Sequence, residues 1–425
     1  MEIALNAYYT MILATLVLLL GRFLTRNIKL LENFNIPEPV AGGLLAGLVV
    51  VLLKSIFGLS FKFDTTLQTA FMLMFFSSIG LSADFKRLKV GGMPLVIFAI
   101  TVSGLIIVQD TVGVLMATLV GLEPLMGLVT ASVTLTGGHG TAAAWGPILE
   151  DRYGLVGATT LGIATATFGL VAGGMLGGPV AKLLLKRMER QRLPEIDNPS
   201  LLEKEAKKAS LYSTRHDEDD DTLGDALFDK PDQIRRITAS SAIETLALFS
   251  ACLAFSDLMT GVAKDSVFEL PTFVWALLGG VILRNVLTHI FSFHMFDRAI
   301  DVFGNASLSL FLAMALMSLR LWELVDLALP VLVILVVQVL VMALYAIFIT
   351  YRVMGKDYDA VILAAGHCGF GLGATPTAVA NMQAVTDRYG PSYKAFLLVP
   401  IVGAFFVDLI NATVLQIFTQ LPFLQ

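Results

Sequence analysis

The chain has 425 residues, 56% of them hydrophobic and only 15% charged, with a mean hydropathy of +0.78. A soluble protein of this length needs a charged exterior, so the implied solvent is lipid. The formal charge of −5 is local in origin: residues 186–236 hold 11 Lys/Arg and 13 Asp/Glu, including Asp217, Glu218, Asp219, Asp220 and Asp221, and its sign says little about partners.

No basic stripe with interleaved aromatics occurs, which excludes a nucleic-acid partner. Cys252 and Cys368 stand far apart in apolar surroundings, so neither a disulfide framework nor a zinc site is expected. Glu2 replaces a basic leader and no small-residue cleavage site follows, so Tyr8 to Phe23 reads as a retained span rather than a signal peptide.

A bilayer core of about 30 Å needs roughly 20 apolar residues as helix. On that basis spans are expected at 8–24, 36–57, 67–83, 92–120 and 156–184, and, after the polar linker, at 237–259, 270–290, 303–321, 326–350 and 394–419. Two further apolar segments, 127–148 (GLVTASVTLTGGHGTAAAWGPI) and 361–383 (VILAAGHCGFGLGATPTAVANMQ), are broken by glycines. Each such glycine costs about 1 kcal/mol in a helix interior relative to alanine. Backbone freed by a break is tolerated at membrane depth only where protein or a water-lined cavity satisfies it. Both segments therefore read as re-entrant hairpins.

Basic residues set the orientation. With the N-terminus outside, the inner short loops hold Arg22, Arg26, Lys29, Lys86, Arg87, Lys89, Arg284, Arg298, Arg352, Lys356, Arg388 and Lys394. The outer loops hold only Lys54, Lys62, Arg152, Lys264 and Arg320. Both termini are then periplasmic and the linker cytoplasmic.

An internal repeat organises the chain. DRYG recurs at 151–154 and 387–390, Pro39 matches Pro271, and LMFFSSIGL (73–81) faces AMALMSLRL (313–321), all at nearly constant offset. Five spans per half is an odd number, so the halves must be inverted. The expected fold is all-α and membrane-integral: an N-terminal repeat at 1–185, a charged cytoplasmic linker at 186–236 and a C-terminal inverted repeat at 237–425. One hairpin would enter from each face.

Inverted repeats with broken segments in matching positions point to a secondary transporter. Helix N-termini at the breaks offer unpaired N–H groups to an anion, and unwound carbonyls can take a cation. His139 and His367 sit among the glycines and read either as neutral rings satisfying nearby groups or as substrate contacts. One His and one Cys at Gly366-His367-Cys368-Gly369 make half a metal site at most. Asp408 lies mid-span with Asn411 at i+3 on the same face; an intramembrane carboxylate is a functional hypothesis by default. The pair reads as sodium ligands or a seat for an ammonium, against a structural hydrogen bond. Glu244, and Asp110 with Gln109, fall closer to span ends and are secondary. Asn305, Ser307 and Ser309 open the eighth span and read equally as a helix cap. With no mid-span Arg or Lys facing the hairpins, an anionic substrate would rely on N–H dipoles, on the hydroxyls of Thr136, Thr141, Thr375 and Thr377, and on co-bound cations.

TGGHGT (136–141), AAGHCGFGLGATPTAVANMQ (364–383), IPEPVAGGL (36–44) and LSLFLAMALMSL (308–319) resemble the bacterial sodium/glutamate symporter family over nearly the whole chain. The resemblance implies Na⁺-coupled uptake of L-glutamate across the inner membrane, Na⁺ as the coupling ion with no organic cofactor, ten spans with two re-entrant loops, a homodimer and elevator-type movement. By that carry-over Gly137, Gly138, His139, Gly140 and Thr141, with Gly369, Gly371, Gly373, Thr375 and Pro376, form the hairpin tips; Gly366, His367, Thr377 and Asn381 complete the candidate set. The linker departs from the family in length and charge and reads as a disordered tether. Two other functions stay open at this point: a Na⁺-coupled di- or tricarboxylate carrier, and an anion channel. No catalytic motif or well-placed acid/base pair points to an enzyme.

Overall fold

The computed structural model describes residues 2–29, 31, 36–192, 237–264, 270–293, 295–318 and 327–421. Most of the charged linker, including the acidic run 217–221, lies outside the described residues, as does Arg320. Apart from a two-stranded parallel ribbon of β1 (Glu2–Ala4) and β2 (Ser60–Lys62), the described chain is helical. In order it forms α1 (Ala7–Asn27), α2 (Glu38–Phe57), α3 (Thr66–Leu81), α4 (Phe85–Leu119), α5 (Met126–Val129), α6 (Gly138–Tyr153) and α7 (Ala158–Arg192). After the linker come α8 (Ala239–Ala263), α9 (Thr272–His289), α10 (Asp297–Met317), α11 (Ala328–Val353), α12 (Tyr358–Leu372), α13 (Thr375–Tyr389), α14 (Tyr393–Ile401) and α15 (Val407–Thr419).

Among the described residues, eight of these helices are long and apolar enough to cross a membrane. The other two expected spans are also helical but differ in form. Helix α3 has only 16 residues, and the last span is divided by a π-helical turn at Val402–Phe406. Whole apolar faces are left uncovered, as at Ile12, Leu16, Leu19 and Phe23 on α1, which suits lipid and not water. The molecule is an integral membrane protein.

Helix starts follow local chemistry. The Asn6 side chain accepts from the amides of Tyr8 and Tyr9 at 3.1 Å each, and Thr238 and Ser241 form a reciprocal capping box at α8. Helices α2 and α9 both follow a proline, Pro37 and Pro271, whose fixed φ suits a helix entry.

The helices fall into two packing groups. In the first, α1, α2, α3, α8, α9 and α10 pack mainly on one another; in the second, α4 to α7 pack with α11 to α15. Lipid supplies no hydrophobic drive between helices, so close backbone approach through small residues takes its place. A Cβ on Gly80 of α3 would lie 2.1 Å from the Leu277 carbonyl oxygen, and one on Gly280 of α9 would lie 2.6 Å from that of Ser77. The groups meet more sparsely: Trp145 of α6 packs edge-on against Phe273 of α9 at 6.0 Å, and Gly140 faces Phe75 and Leu308.

Arg284 differs from its sequence reading as a loop charge. It is 5% exposed on α9 and pairs with Asp297 and, at 3.4 Å, with Asp84. A buried guanidinium needs such partners.

Candidate functional site

Both glycine-rich segments are broken helices, and their breaks meet. The first arm of segment one is the short α5 followed by irregular backbone through Thr136; α6 then starts at Gly138. Segment two is α12, a break at Gly373–Ala374, and α13. Gly138 has φ +66°, a conformation open to glycine at little cost, and a Cβ there would lie 3.2 Å from the Gly373 carbonyl oxygen. The two tips therefore touch.

No side chain caps α6 at Gly137 or α13 at Ala374. The first amides of a helix have no intrahelical acceptors; the Gly138 amide is taken by Thr134 O at 2.9 Å and the Ala374 amide by Gly369 O at 3.2 Å, so the amides that remain at the two adjoining ends begin at His139 and at Thr375. Pro376, exposed in the first turn of α13, sacrifices only an amide that would be unpaired anyway. Thr375 is half-buried, while Thr136, Thr141 and Thr377 are buried. The Thr377 hydroxyl has no hydrogen-bond partner among the described residues.

Segment two breaks near its middle as expected, but at one glycine and not along the whole glycine run. Gly366, Gly369 and Gly371 lie inside continuous α12, and only Gly373 is at the break. Their role is close packing: a Cβ on Gly369 would lie 2.4 Å from Ala378 Cα on α13, and one on Gly371 would lie 2.8 Å from Met342 Sδ. Asn381 fastens α13 to its neighbours by donating to the carbonyls of Gly173 (2.9 Å) and Ala365 (3.3 Å).

Neither histidine points its ring at the junction of the tips. His139 Nε2 lies 3.0 Å from Thr167 Oγ1 on α7. That hydroxyl already donates to Ile163 O at 2.9 Å, so the ring nitrogen is the donor. His367 is fully buried among Phe98, Tyr345 and Phe370, the last stacked at 5.0 Å. Its Nδ1 contacts Thr350 Oγ1 at 2.9 Å.

Gln109 and Asp110, ranked second from sequence, occupy the centre. Both are fully buried on α4. Gln109 donates to the Gly371 carbonyl at 2.7 Å and accepts the Thr136 hydroxyl at 2.5 Å; Gln338 of α11 in turn donates to the Gln109 carbonyl at 2.8 Å. On the next residue, Asp110 Oδ1 accepts the Ser132 amide at 3.1 Å, and Asn411 donates to the Ser132 carbonyl at 3.0 Å. Sequence reasoning passed over Ser132 and Gln338. A lone glutamine in VILVVQVLVM was the available signal for the second, since an amide in an apolar span demands a partner; Ser132 had none.

The last span touches both tips. A Cβ on Gly403, in the π-helical turn, would lie 3.0 Å from Thr375 Oγ1, and one on Gly137 would lie 2.8 Å from Asn411 Nδ2. Asp408 lies between these contacts, half-buried and without a hydrogen bond among the described residues. The remaining candidates fall elsewhere. Glu244 is exposed near the start of α8, beside Ser240. Asn305 is exposed and Ser309 donates to its carbonyl; because α10 begins at Asp297, these residues are mid-helix and not a cap.

The family model for the sodium/glutamate symporter matches residues 3–391. The chain is 53% identical over 417 residues to the sodium/glutamate symporter of Haemophilus influenzae and 50% identical over 418 residues to that of Escherichia coli, covering 98% of both chains in each case. A protein of the same name from Shigella flexneri is also 50% identical. At that identity over nearly full length, the chain belongs to the sodium/glutamate symporter family.

Proposed function

We propose that this protein carries L-glutamate into bacteria across the inner membrane, driven by co-transported Na⁺. The observation that carries the reading is the meeting of two uncapped helix N-termini, at Gly138 and Thr375. Glutamate has two carboxylates, and each helix end favours one negative charge. Thr136, Thr141, Thr375 and Thr377 supply hydroxyls around the same junction, and the Asp408 carboxylate faces the substrate ammonium. The names of the relatives, each a sodium/glutamate symporter, agree with both cargo and ion.

Alternating access follows from the repeat. The order of three helices, a long helix, a broken pair and a closing span recurs in each half, which supports inverted halves whose re-entrant hairpins form two related gates. The sparse contact between the two packing groups supports an elevator in which α4–α7 and α11–α15 slide against a scaffold. The scaffold's uncovered apolar faces on α1, α2 and α8 are where a homodimer would form. The charge distribution supports periplasmic termini and a cytoplasmic linker.

The test is uptake of labelled glutamate by purified protein in liposomes. Accumulation with an inward Na⁺ gradient, absent with K⁺, is expected. Uptake that ignores Na⁺, or that citrate and malate block better than glutamate analogues do, would sink the reading.

A further inference from the structure

We propose that Asp110, Ser132 and Asn411 together form a sodium-binding site one turn below the first hairpin tip. The inference deepens the Na⁺-coupled reading above and rests on it for the identity of the ion.

Asp110 Oδ2, Ser132 Oγ and Asn411 Oδ1 are all buried and, among the described residues, have no hydrogen-bond partner of normal geometry, although the Ser132 hydroxyl lies against the Asp110 carboxylate. The three residues are themselves fully buried and are tied into one cluster: the Ser132 amide donates to Asp110 Oδ1, and Asn411 donates to the Ser132 carbonyl. The well-formed bonds are thus spent on fixing neighbours, which leaves a buried carboxylate without a counter-charge and spare oxygen lone pairs on Ser132 and Asn411. A buried polar atom without a partner is costly, and a buried carboxylate far more so.

Among the described residues Asp110 takes part in no ion pair; the buried Arg284 is held by Asp84 and Asp297. Side-chain oxygens alone make a hard donor set. One carboxylate with two neutral oxygens balances a single positive charge, which favours a monovalent ion over a divalent one.

Placement gives the site a consequence. Ser132 lies on the irregular arm that ends at Gly137, and the same Asn411 amide packs against Gly137. A cation drawn between α4, this arm and α15 therefore orders the tip at which substrate would sit, so Na⁺ binding should precede and strengthen glutamate binding.

The test needs no transport. Purified full-length protein, without glutamate, is melted in detergent against NaCl, with KCl and choline chloride at matched ionic strength. A saturable rise in melting temperature with Na⁺ alone is expected for the wild type. Ser132→Ala and Asn411→Ala should raise the half-saturating Na⁺ concentration about tenfold or more, and Asp110→Asn should abolish the response. If Asp110→Asn does not fold, the two neutral variants decide, with Asn411→Asp expected to keep a Na⁺ response. An equal response to K⁺ and choline, no response, or unchanged half-saturation in Ser132→Ala and Asn411→Ala would each overturn the site. Failure of glutamate uptake alongside a Na⁺ response lost in the variants would refute the transport reading and leave the cation site standing.

Discussion

Gln109 Nε2 donates to the carbonyl of Gly371 at 2.7 Å, across 262 residues of sequence. Its oxygen takes the Thr136 hydroxyl, which also reaches Gly371 O at 3.2 Å. One amide on α4 therefore ties the last helical turn of α12 to the arm leading into the other tip. Both broken segments are thus fastened to α4 close to the point where they meet.

Replacing Gln109 with leucine should leave Thr136 and Gly371 without their central partner. Each buried group left unsatisfied costs about 1–3 kcal/mol. The expected result is a lower melting temperature and a loss of uptake of at least about tenfold, read by thermal unfolding and by initial rates in liposomes. A variant that melts and transports like the wild type would show the bridge to be dispensable.

Gly138→Ala tests the contact between tips. Its φ of +66° imposes roughly 1 kcal/mol of strain on alanine, and the new methyl would press on the Gly373 carbonyl. Gly154, with φ +71° and open space around it, is the control for strain alone. Both variants should be destabilised, but only Gly138→Ala should raise the KM for glutamate. Equal KM changes would remove the argument that the tips form the site.

Thiol chemistry separates the tip from the body of α12. Cys368 and Cys252 are buried, so a maleimide should label neither readily in native membranes. A cysteine introduced at exposed Pro376 should label quickly and be protected by glutamate plus Na⁺. Protection by neither, at a site that does react, would move the substrate away from α13.

Glutamate is a net monoanion at neutral pH, so uptake with one Na⁺ would be electroneutral. More than one Na⁺ is expected, and each surplus charge gains about 2.3 kcal/mol per 100 mV from the membrane potential. An inside-negative potassium diffusion potential should therefore speed uptake in liposomes. A measured 1:1 ratio with rates indifferent to potential would rule this out.

Asp408→Asn should raise the KM for glutamate more than it changes the half-saturating Na⁺ concentration, because its carboxylate is assigned to the substrate ammonium. The reverse pattern would make it an ion ligand. Comparing its Na⁺ dependence with that of Asn411→Ala, one helical turn on, gives the cleanest division between cargo and coupling ion.

Local features of the chain were enough to determine the membrane-integral helical class. A run of apolar residues long enough to cross lipid has few alternatives, and the matched prolines at 39 and 271, the broken segments and the repeat of DRYG are likewise written in short stretches. The resemblance of TGGHGT and its companion motif was enough to reach the family. Tertiary structure alone decided which polar residues matter. Gln109 and Asp110 looked peripheral because distance from a span's end is a local measure, whereas their partners Gly371, Ser132 and, through Ser132, Asn411 come from distant segments. Gly369 and Gly371 looked like breaks because glycine disfavours isolated helix, yet α12 runs through them, since close packing against α13 and α11 recovers more than propensity costs. The oxygens left over on Asp110, Ser132 and Asn411 become visible only when every other hydrogen bond is in place.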